Sequence, residues 1–311
     1  MASYGHHNTS FFGDEYISGG YIQNFSFFSI LFLTYLLRKS DSIFKIALTS
    51  ITIITISVGI LLSGNKMPFA LFFLGLFLLF FINTELRKII LISCCATFLI
   101  SVTLSSSDIR VKQNFHSFYS GVQKTTFTLF KKAKNSLLKK NLKEEGTTDS
   151  WNEKIINKFQ QEDDFPSANP YQKLFFTAIE TWKPSKTFGN GIKSFRIECH
   201  KILDQQRRGL CSNHPHNYYL EILVDTGIVG FILVMVIAVT FIIFVIKNYK
   251  ILGMNNIKSL FLLAAVLSLL LECFPFKSSG SLFTTNNATY IILISGIILS
   301  YKKILVTTNI K

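Results

Sequence analysis

The stretch HPHNYYLEILVDTGIVGFILVMVIAVTFIIFVI, residues 214–246, decides the fold. It opens polar and then turns apolar. From Leu220 to Ile246 the charged residues are Glu221 and Asp225, both near the entry. A helix needs roughly 20 apolar residues to cross about 30 Å of hydrocarbon, and this run supplies them. Taken alone it could be the core helix of a soluble protein. Six more runs of the same kind accompany it: Tyr21–Leu37, Ile43–Leu62, Met67–Ile82, Ile89–Leu104, Ile257–Phe274 and Leu282–Ser300. So many cannot share one water-soluble core. The expected fold is an all-α multi-pass membrane protein with about seven transmembrane helices. Of the 311 residues 49% are hydrophobic and 16% charged, against roughly 25% charged in an average soluble protein. An intrinsically disordered chain is excluded on the same ground. The net charge of +14 would suit a nucleic-acid binder, but nucleic acid does not explain the apolar runs. Basic loops at the ends of membrane spans explain both, so no nucleic-acid partner is expected.

The short loops give an orientation. One set carries Arg38, Lys39, Lys45, Arg87, Lys88, Lys247, Lys250, Lys258, Lys302, Lys303 and Lys311; the opposite set carries Lys66 and Lys277. By the positive-inside rule the first set is cytoplasmic. The N-terminus is then outside, the C-terminus inside, and the long hydrophilic segment from about Ser105 to Tyr219 outside as well. The organisation expected is a four-span segment over 1–104, a large external loop over 105–219 and a three-span segment over 220–311. The first twenty residues hold His, Asn, Asp and Glu and lack an apolar stretch, so no cleavable signal peptide is read there. An external start with no preceding span predicts the C-terminal part of a longer protein, or a late start.

Within the external loop, Phe118–Lys143 is a basic amphipathic stretch, read either as a helix packed on the loop's own core or as one lying on anionic headgroups. Gly146–Asp164 is polar and acidic and reads as a linker. Pro170–Trp182 has helical apolar spacing, and Lys183–Gly191 is a turn cluster. Cys94, Cys95 and Cys273 fall in or beside spans, where cysteine serves as a small apolar residue. Cys199 and Cys211 lie in the external loop, where a disulfide closing about a dozen residues would contribute roughly 3 kcal/mol. A zinc site from Cys199, His200, Cys211 and His214 is the alternative, although its spacing matches no standard finger.

His216 sits where the external loop re-enters the membrane. A neutral imidazole there can take a proton near neutral pH; a structural or interfacial histidine is the plainer reading of one residue in isolation. His216-Asn217 is followed by nine residues and then by Gly227-Ile228-Val229-Gly230. This H-N-x9-G-x-x-G spacing resembles the signature of the O-antigen ligase and O-antigen polymerase superfamily. Phe188-Gly189-Asn190-Gly191 followed by Phe195 resembles that family's F-G-x-G segment. Phe12-Gly13-Asp14-Glu15 with Gly19 and Tyr21 resembles the entry to one of its middle spans. Ser63-Gly64-Asn65-Lys66 stands where the family often has Ser-Gly-x-Arg. One large loop followed by three spans is also similar to the family's C-terminal part; about five N-terminal spans of a typical member have no counterpart here.

The resemblance implies a C-type, membrane-embedded glycosyltransferase of the bacterial inner membrane, with its active site facing the periplasm. Such an enzyme moves a glycan from undecaprenyl diphosphate to an acceptor, with no nucleotide sugar, metal or other cofactor. For a ligase the acceptor is a lipid A–core sugar; for a polymerase it is another lipid-linked glycan. His216 would be the base. The departing diphosphate calls for cations, and the external candidates are Lys66, Lys277, Arg196, Arg207 and Arg208. Lys66 departs from the family's arginine and cannot make a bidentate phosphate fork. Asn217 would orient His216 or bind a sugar hydroxyl, and His214 joins it in the substrate-binding set. Gly227 and Gly230 would allow close helix packing behind the His-bearing helix. A non-catalytic membrane protein or transporter component is the competing class. The scarcity of ionisable groups in mid-span, with Glu221, Asp225 and Glu272 near span ends, weighs against an ion-coupled pump.

Overall fold

The computed structural model describes residues 3–4, 7–8, 17–107, 112, 170–206, 209–247 and 256–308. The amphipathic stretch Phe118–Lys143, the linker Gly146–Asp164, Arg207 and Arg208 lie outside them. The regular secondary structure of the described residues is helical apart from one antiparallel two-residue ladder, in which Ser3 pairs with Asn8 and Tyr4 with His7.

Seven long helices correspond to the seven apolar runs: α1 (Ser18–Leu36), α2 (Ser42–Leu62), α3 (Lys66–Ile82), α4 (Arg87–Ser107), α7 (Tyr218–Lys247), α8 (Ile257–Glu272) and α9 (Thr285–Thr308). Two shorter ones, α5 (Pro170–Trp182) and α6 (Phe195–Gln206), belong to the hydrophilic loop. By length and composition four helices can cross a bilayer: Ser18–Lys39, Ser42–Leu62, Thr84–Ser107 and Tyr218–Lys247. Helix α3 and the apolar part of α9 are shorter, and α8 has 16 residues, about 24 Å of helix. Among the described residues four helices are therefore long and apolar enough to cross, where the sequence suggests about seven.

Contacts sort the helix ends onto two faces. At one, Gly19 of α1 lies against the Ser63–Lys66 turn, where an added Cβ would come within 2.4 Å of Ser63 Oγ. Ser268 of α8 and Tyr290 of α9 both donate to the Asn24 carbonyl, at 2.8 and 3.2 Å. The α7 N-terminus joins this face through Tyr218 and Glu272. At the other end, Lys45 pairs with Glu85 at 3.3 Å and Arg87 lies over the Phe80 ring. Consecutive helices thus run antiparallel, and the basic turns Leu37–Lys39 and Thr84–Arg87 gather at one end.

The bundle core is built from α1, α2, α3, α4, α8 and α9, with Phe27, Ile53, Phe72, Leu263 and Ile298 fully buried. Gly75 admits the Phe27 ring, which an added Cβ would meet at 2.1 Å. Four buried hydroxyls cost little because they bond within their own helix: Thr34, Ser57, Ser93 and Ser101 each donate to the carbonyl four residues back, at 2.7–2.8 Å. A second cluster holds the loop module to the top of α7, through Leu174, Ala178, Phe195, Cys199, Leu220 and Val224. This second core positions the candidate site.

Candidate active site

Helix α7 begins at Tyr218, two residues earlier than its apolar run, because Asn217 caps it. The Asn217 Oδ1 accepts from the amides of Tyr219 and Leu220, at 3.1 and 3.2 Å. Its Nδ2 donates to the Pro275 carbonyl at 2.7 Å. Neighbouring residues also hook the loop between α8 and α9. Tyr219 donates to the Cys273 carbonyl at 2.6 Å, and Tyr218 to Glu272 Oε1 at 2.6 Å. The Glu221 carboxylate accepts from Ser281 Oγ and from the Leu282 amide. Residues 282–284, expected as the start of the last span, are held in this loop, so α9 starts at Thr285.

His216 stands just before the cap, in left-handed backbone (φ 57°). Its carbonyl accepts from the Ser279 amide at 3.0 Å. Its Nε2 lies 3.3 Å from Ser212 Oγ, its ring centroid 4.2 Å from that of His214, and the edge of Tyr171 approaches at 6.1 Å. Burial pushes the His216 imidazole below its ordinary value of 6.5, opposed by a hydrogen bond to the Ser279 backbone. Burial, and then the neighbouring His216, push His214 down to about 4. Both imidazoles are therefore neutral at pH 7.

The segment carrying both histidines is anchored behind. Cys199 and Cys211 form a disulfide, with Cα atoms 5.7 Å apart, and Cys199 is wholly buried in the second core. His200 lies close to both sulfurs, but sulfurs bonded to each other supply no thiolate ligands, which removes the zinc alternative. The Leu210 amide donates to Thr177 Oγ1 of α5 at 3.1 Å.

Below the histidine, α7 breaks at Gly227 (φ 65°, ψ −168°). An unbroken helix would bond the Ile228 and Val229 amides to the carbonyls of Val224 and Asp225. Here those amides donate to Lys186 and Thr187 of the loop, at 2.8 and 3.2 Å. The released carbonyls of Val224 and Asp225 accept from the amides of Asn190 and Gly191, both at 2.9 Å. Gly189 (φ 73°) faces Gly227; an added Cβ at Gly227 would come within 2.3 Å of the Thr187 carbonyl oxygen. The Asp225 carboxylate completes the contact, accepting from the Lys193 amide at 2.6 Å and Ser194 Oγ at 3.1 Å.

Several expected roles change. Gly227 was expected to serve helix packing; it serves a backbone exchange with the loop. Gly230 makes room for the Thr226 side chain of its own helix, whose Oγ1 an added Cβ would meet at 2.2 Å. Lys277, expected to face a diphosphate, is 8% exposed and ion-paired with Glu272, so its charge is already compensated. Lys66 heads α3 in the turn packed on Gly19, and Arg196 is exposed at the start of α6. Sequence reasoning missed Tyr218, Tyr219, Ser279 and the loop-holding parts of Glu221, Asp225 and Glu272. Tyr218, Tyr219 and Glu221 stand beside His216 in sequence, but the groups they hold lie 54 to 61 residues further on, and no local spacing announces such pairings.

The buried pair yields a stability test. Lys277→Met leaves the Glu272 charge uncompensated and should cost about 3–5 kcal/mol. Adding Glu272→Gln, which removes that charge and still accepts from Tyr218, should restore most of it. Thermal unfolding of the detergent-solubilised chain reads both. A single Lys277→Met variant as stable as the parent would contradict the pairing.

A sequence model of the O-antigen ligase family matches residues 51–235, more than half of the chain. The match includes the Ser63–Lys66 turn, the Phe188–Gly191 loop, the disulfide, His216 and both glycines of the broken helix. No curated protein and no solved structure matches the chain. With the apolar helices that place it in a membrane, the match identifies the chain as a member of the O-antigen ligase family.

Proposed function

We propose that this chain is an O-antigen ligase-type glycosyltransferase of the bacterial inner membrane, working at the periplasmic face. Its family acts on lipid-linked glycans and lipopolysaccharide. The donor in this reading is a glycan on undecaprenyl diphosphate, and the acceptor is a hydroxyl of lipid A–core. The observation that carries the reading is His216: a neutral, partly buried imidazole fixed by its own backbone at the mouth of a capped helix.

The acceptor oxygen attacks the anomeric carbon and forms the new glycosidic bond. The bond from that carbon to the phosphate oxygen breaks, and its electron pair leaves with the diphosphate. The hydroxyl proton passes to a ring nitrogen of His216. A positioned base of this kind contributes typically 10²–10⁴-fold. Asn217 acts indirectly, since its side chain is engaged in the helix cap and the Pro275 carbonyl. His214 presents a buried Nε2 without a protein partner among the described residues, its ring tilted 46° against that of His216, and supports it as a second neutral ring. The chemistry asked of these residues needs no metal.

His216→Ala in the gene at its natural locus tests the reading through the lipopolysaccharide ladder on a gel. The expected outcome is loss of the ladder, with lipid-linked polymer left uncapped. Single repeat units on core would assign the polymerase form of the same chemistry. An unchanged ladder with the variant present in the membrane would remove His216 as the base.

The pH dependence has a definite sign. The neutral imidazole is the active form, and burial lowers its pKa. The acid limb of kcat/KM should therefore have its midpoint below 6.5, with the rate falling as pH drops through it and flat above. A midpoint at or above 7 would contradict a desolvated His216 as the titrating base.

A further inference from the structure

The His216 Nε2 lies 3.3 Å from Ser212 Oγ, the hydroxyl four residues back. At that distance the bond is loose, as resting catalytic hydrogen bonds often are before substrate closes the site. Two aromatic rings flank the imidazole: His214, with centroids 4.2 Å apart, and Tyr171, at 6.1 Å. The Ser279 backbone also bonds to the ring and holds its pKa up against burial, as an accepting carbonyl does. A neutral imidazole has one N–H and one lone pair. With Nδ1–H given to that carbonyl, Nε2 is left to accept from Ser212.

The main chain around Ser212 is held on both sides. Cys211, just before it, is bonded to Cys199, which is wholly buried in the second core. Leu210, one residue earlier, gives its amide to Thr177 Oγ1 at 3.1 Å, and Thr177 is itself wholly buried on α5. After it, His216 is kept in left-handed backbone by the Ser279 amide, 3.0 Å from its carbonyl. Such a backbone persists only where the surroundings over-determine it. Clasps on two consecutive residues are more than a surface turn needs, and here they set one hydroxyl against one ring nitrogen. The Ser212 side chain is only partly buried, so a substrate can still reach its oxygen. An acceptor then has two ways to give a proton to Nε2: displace Ser212, or pass the proton through it. The clasps favour the second.

We propose that Ser212 is the proton relay of the transfer step: the acceptor hydroxyl gives its proton to Ser212 Oγ as Ser212 gives its own to His216 Nε2. The inference rests on the glycosyltransferase reading above and deepens it by giving the proton its route. The acceptor oxygen bonds to the anomeric carbon, and the bond from that carbon to the phosphate oxygen breaks with its electron pair going to the diphosphate. Ser212 ends the step as a hydroxyl again and His216 ends it as an imidazolium, so the net transfer is unchanged. Serine suits the task because a hydroxyl donates one proton while its lone pairs accept another. It touches both the acceptor and the base, and is in this reading a catalytic residue.

The test reads single-turnover transfer by the full-length chain in detergent. The donor is glycan-linked undecaprenyl diphosphate and the acceptor lipid A–core, both purified from the source strain. Two protons move together in the parent, so its rate plotted against the deuterium fraction of the solvent should bow. Ser212→Ala should lower the transfer rate about 10²-fold, the lower end of what a positioned base contributes. Its affinities for donor and acceptor, and its thermal unfolding, should match the parent's. Ser212→Thr keeps a hydroxyl and should recover the rate to within about tenfold. A straight isotope plot in the parent, or a parental rate in Ser212→Ala, would overturn the relay. So would glycosylated Ser212 recovered after incubation with donor alone, which would make the serine a nucleophile. If Ser212→Ala does not fold, the isotope plot of the parent decides. If the parent transfers no glycan, the glycosyltransferase reading falls; if it transfers and Ser212→Ala is as fast, the relay falls alone.

Discussion

At Gly227 the chain gives up two helical hydrogen bonds and makes four to a loop. The amides of Ile228 and Val229 go to Lys186 and Thr187, and the carbonyls of Val224 and Asp225 receive Asn190 and Gly191. In a membrane an opened helix would leave polar backbone without water, at several kcal/mol for each unsatisfied group. The loop removes that penalty by replacing each lost partner. Only glycine permits the approach, because the backbone on both sides comes within van der Waals contact of where a Cβ would stand. The nine-residue interval between Asn217 and Gly227 then has a physical meaning. It is the length of helix between the cap that sets His216 and the break that receives the loop.

Two further clasps depend on this one. Behind the histidine, the Cys199–Cys211 disulfide and the Thr177–Leu210 bond tie the His-bearing segment to α5 and α6, which the docked loop holds against α7. In front, Asn217, Tyr218, Tyr219 and Glu221 hold the loop between α8 and α9, and Ser279 of that loop returns an amide to the His216 carbonyl. His216 is thereby fixed through its main chain and left with a ring that is partly buried and neutral. A base held in this way needs little reorganisation when an acceptor arrives.

Much of this was legible in the sequence, for identifiable reasons. The apolar runs and their basic flanks follow from composition, and the runs reappear as helices with ends shifted by a few residues. Pro170–Trp182 is helical over the stretch its apolar spacing marks. The histidine, the paired cysteines and the two glycine motifs stand out because their residue types are rare in an apolar chain. What the glycines do was not legible. A G-x-x-G beside a membrane helix suggests helix packing, and nothing local announces that Gly227 instead meets Gly189. The fate of Lys277 was hidden as well, since a pair five residues apart across a helix end follows no helical spacing.

The most direct measurement of the loop–helix exchange is hydrogen exchange on the full-length chain in detergent, read at the amides of Asn190, Gly191, Ile228 and Val229. Docking of the loop on the opened helix predicts that all four are protected and that Gly227→Ala, which forces a Cβ into the Thr187 carbonyl, releases the loop pair Asn190 and Gly191. Unprotected amides at Asn190 and Gly191 in the parent chain, beside protected ones at Ile228 and Val229, would mean a continuous helix and a free loop. That result would contradict the arrangement on which the placement of His216 depends.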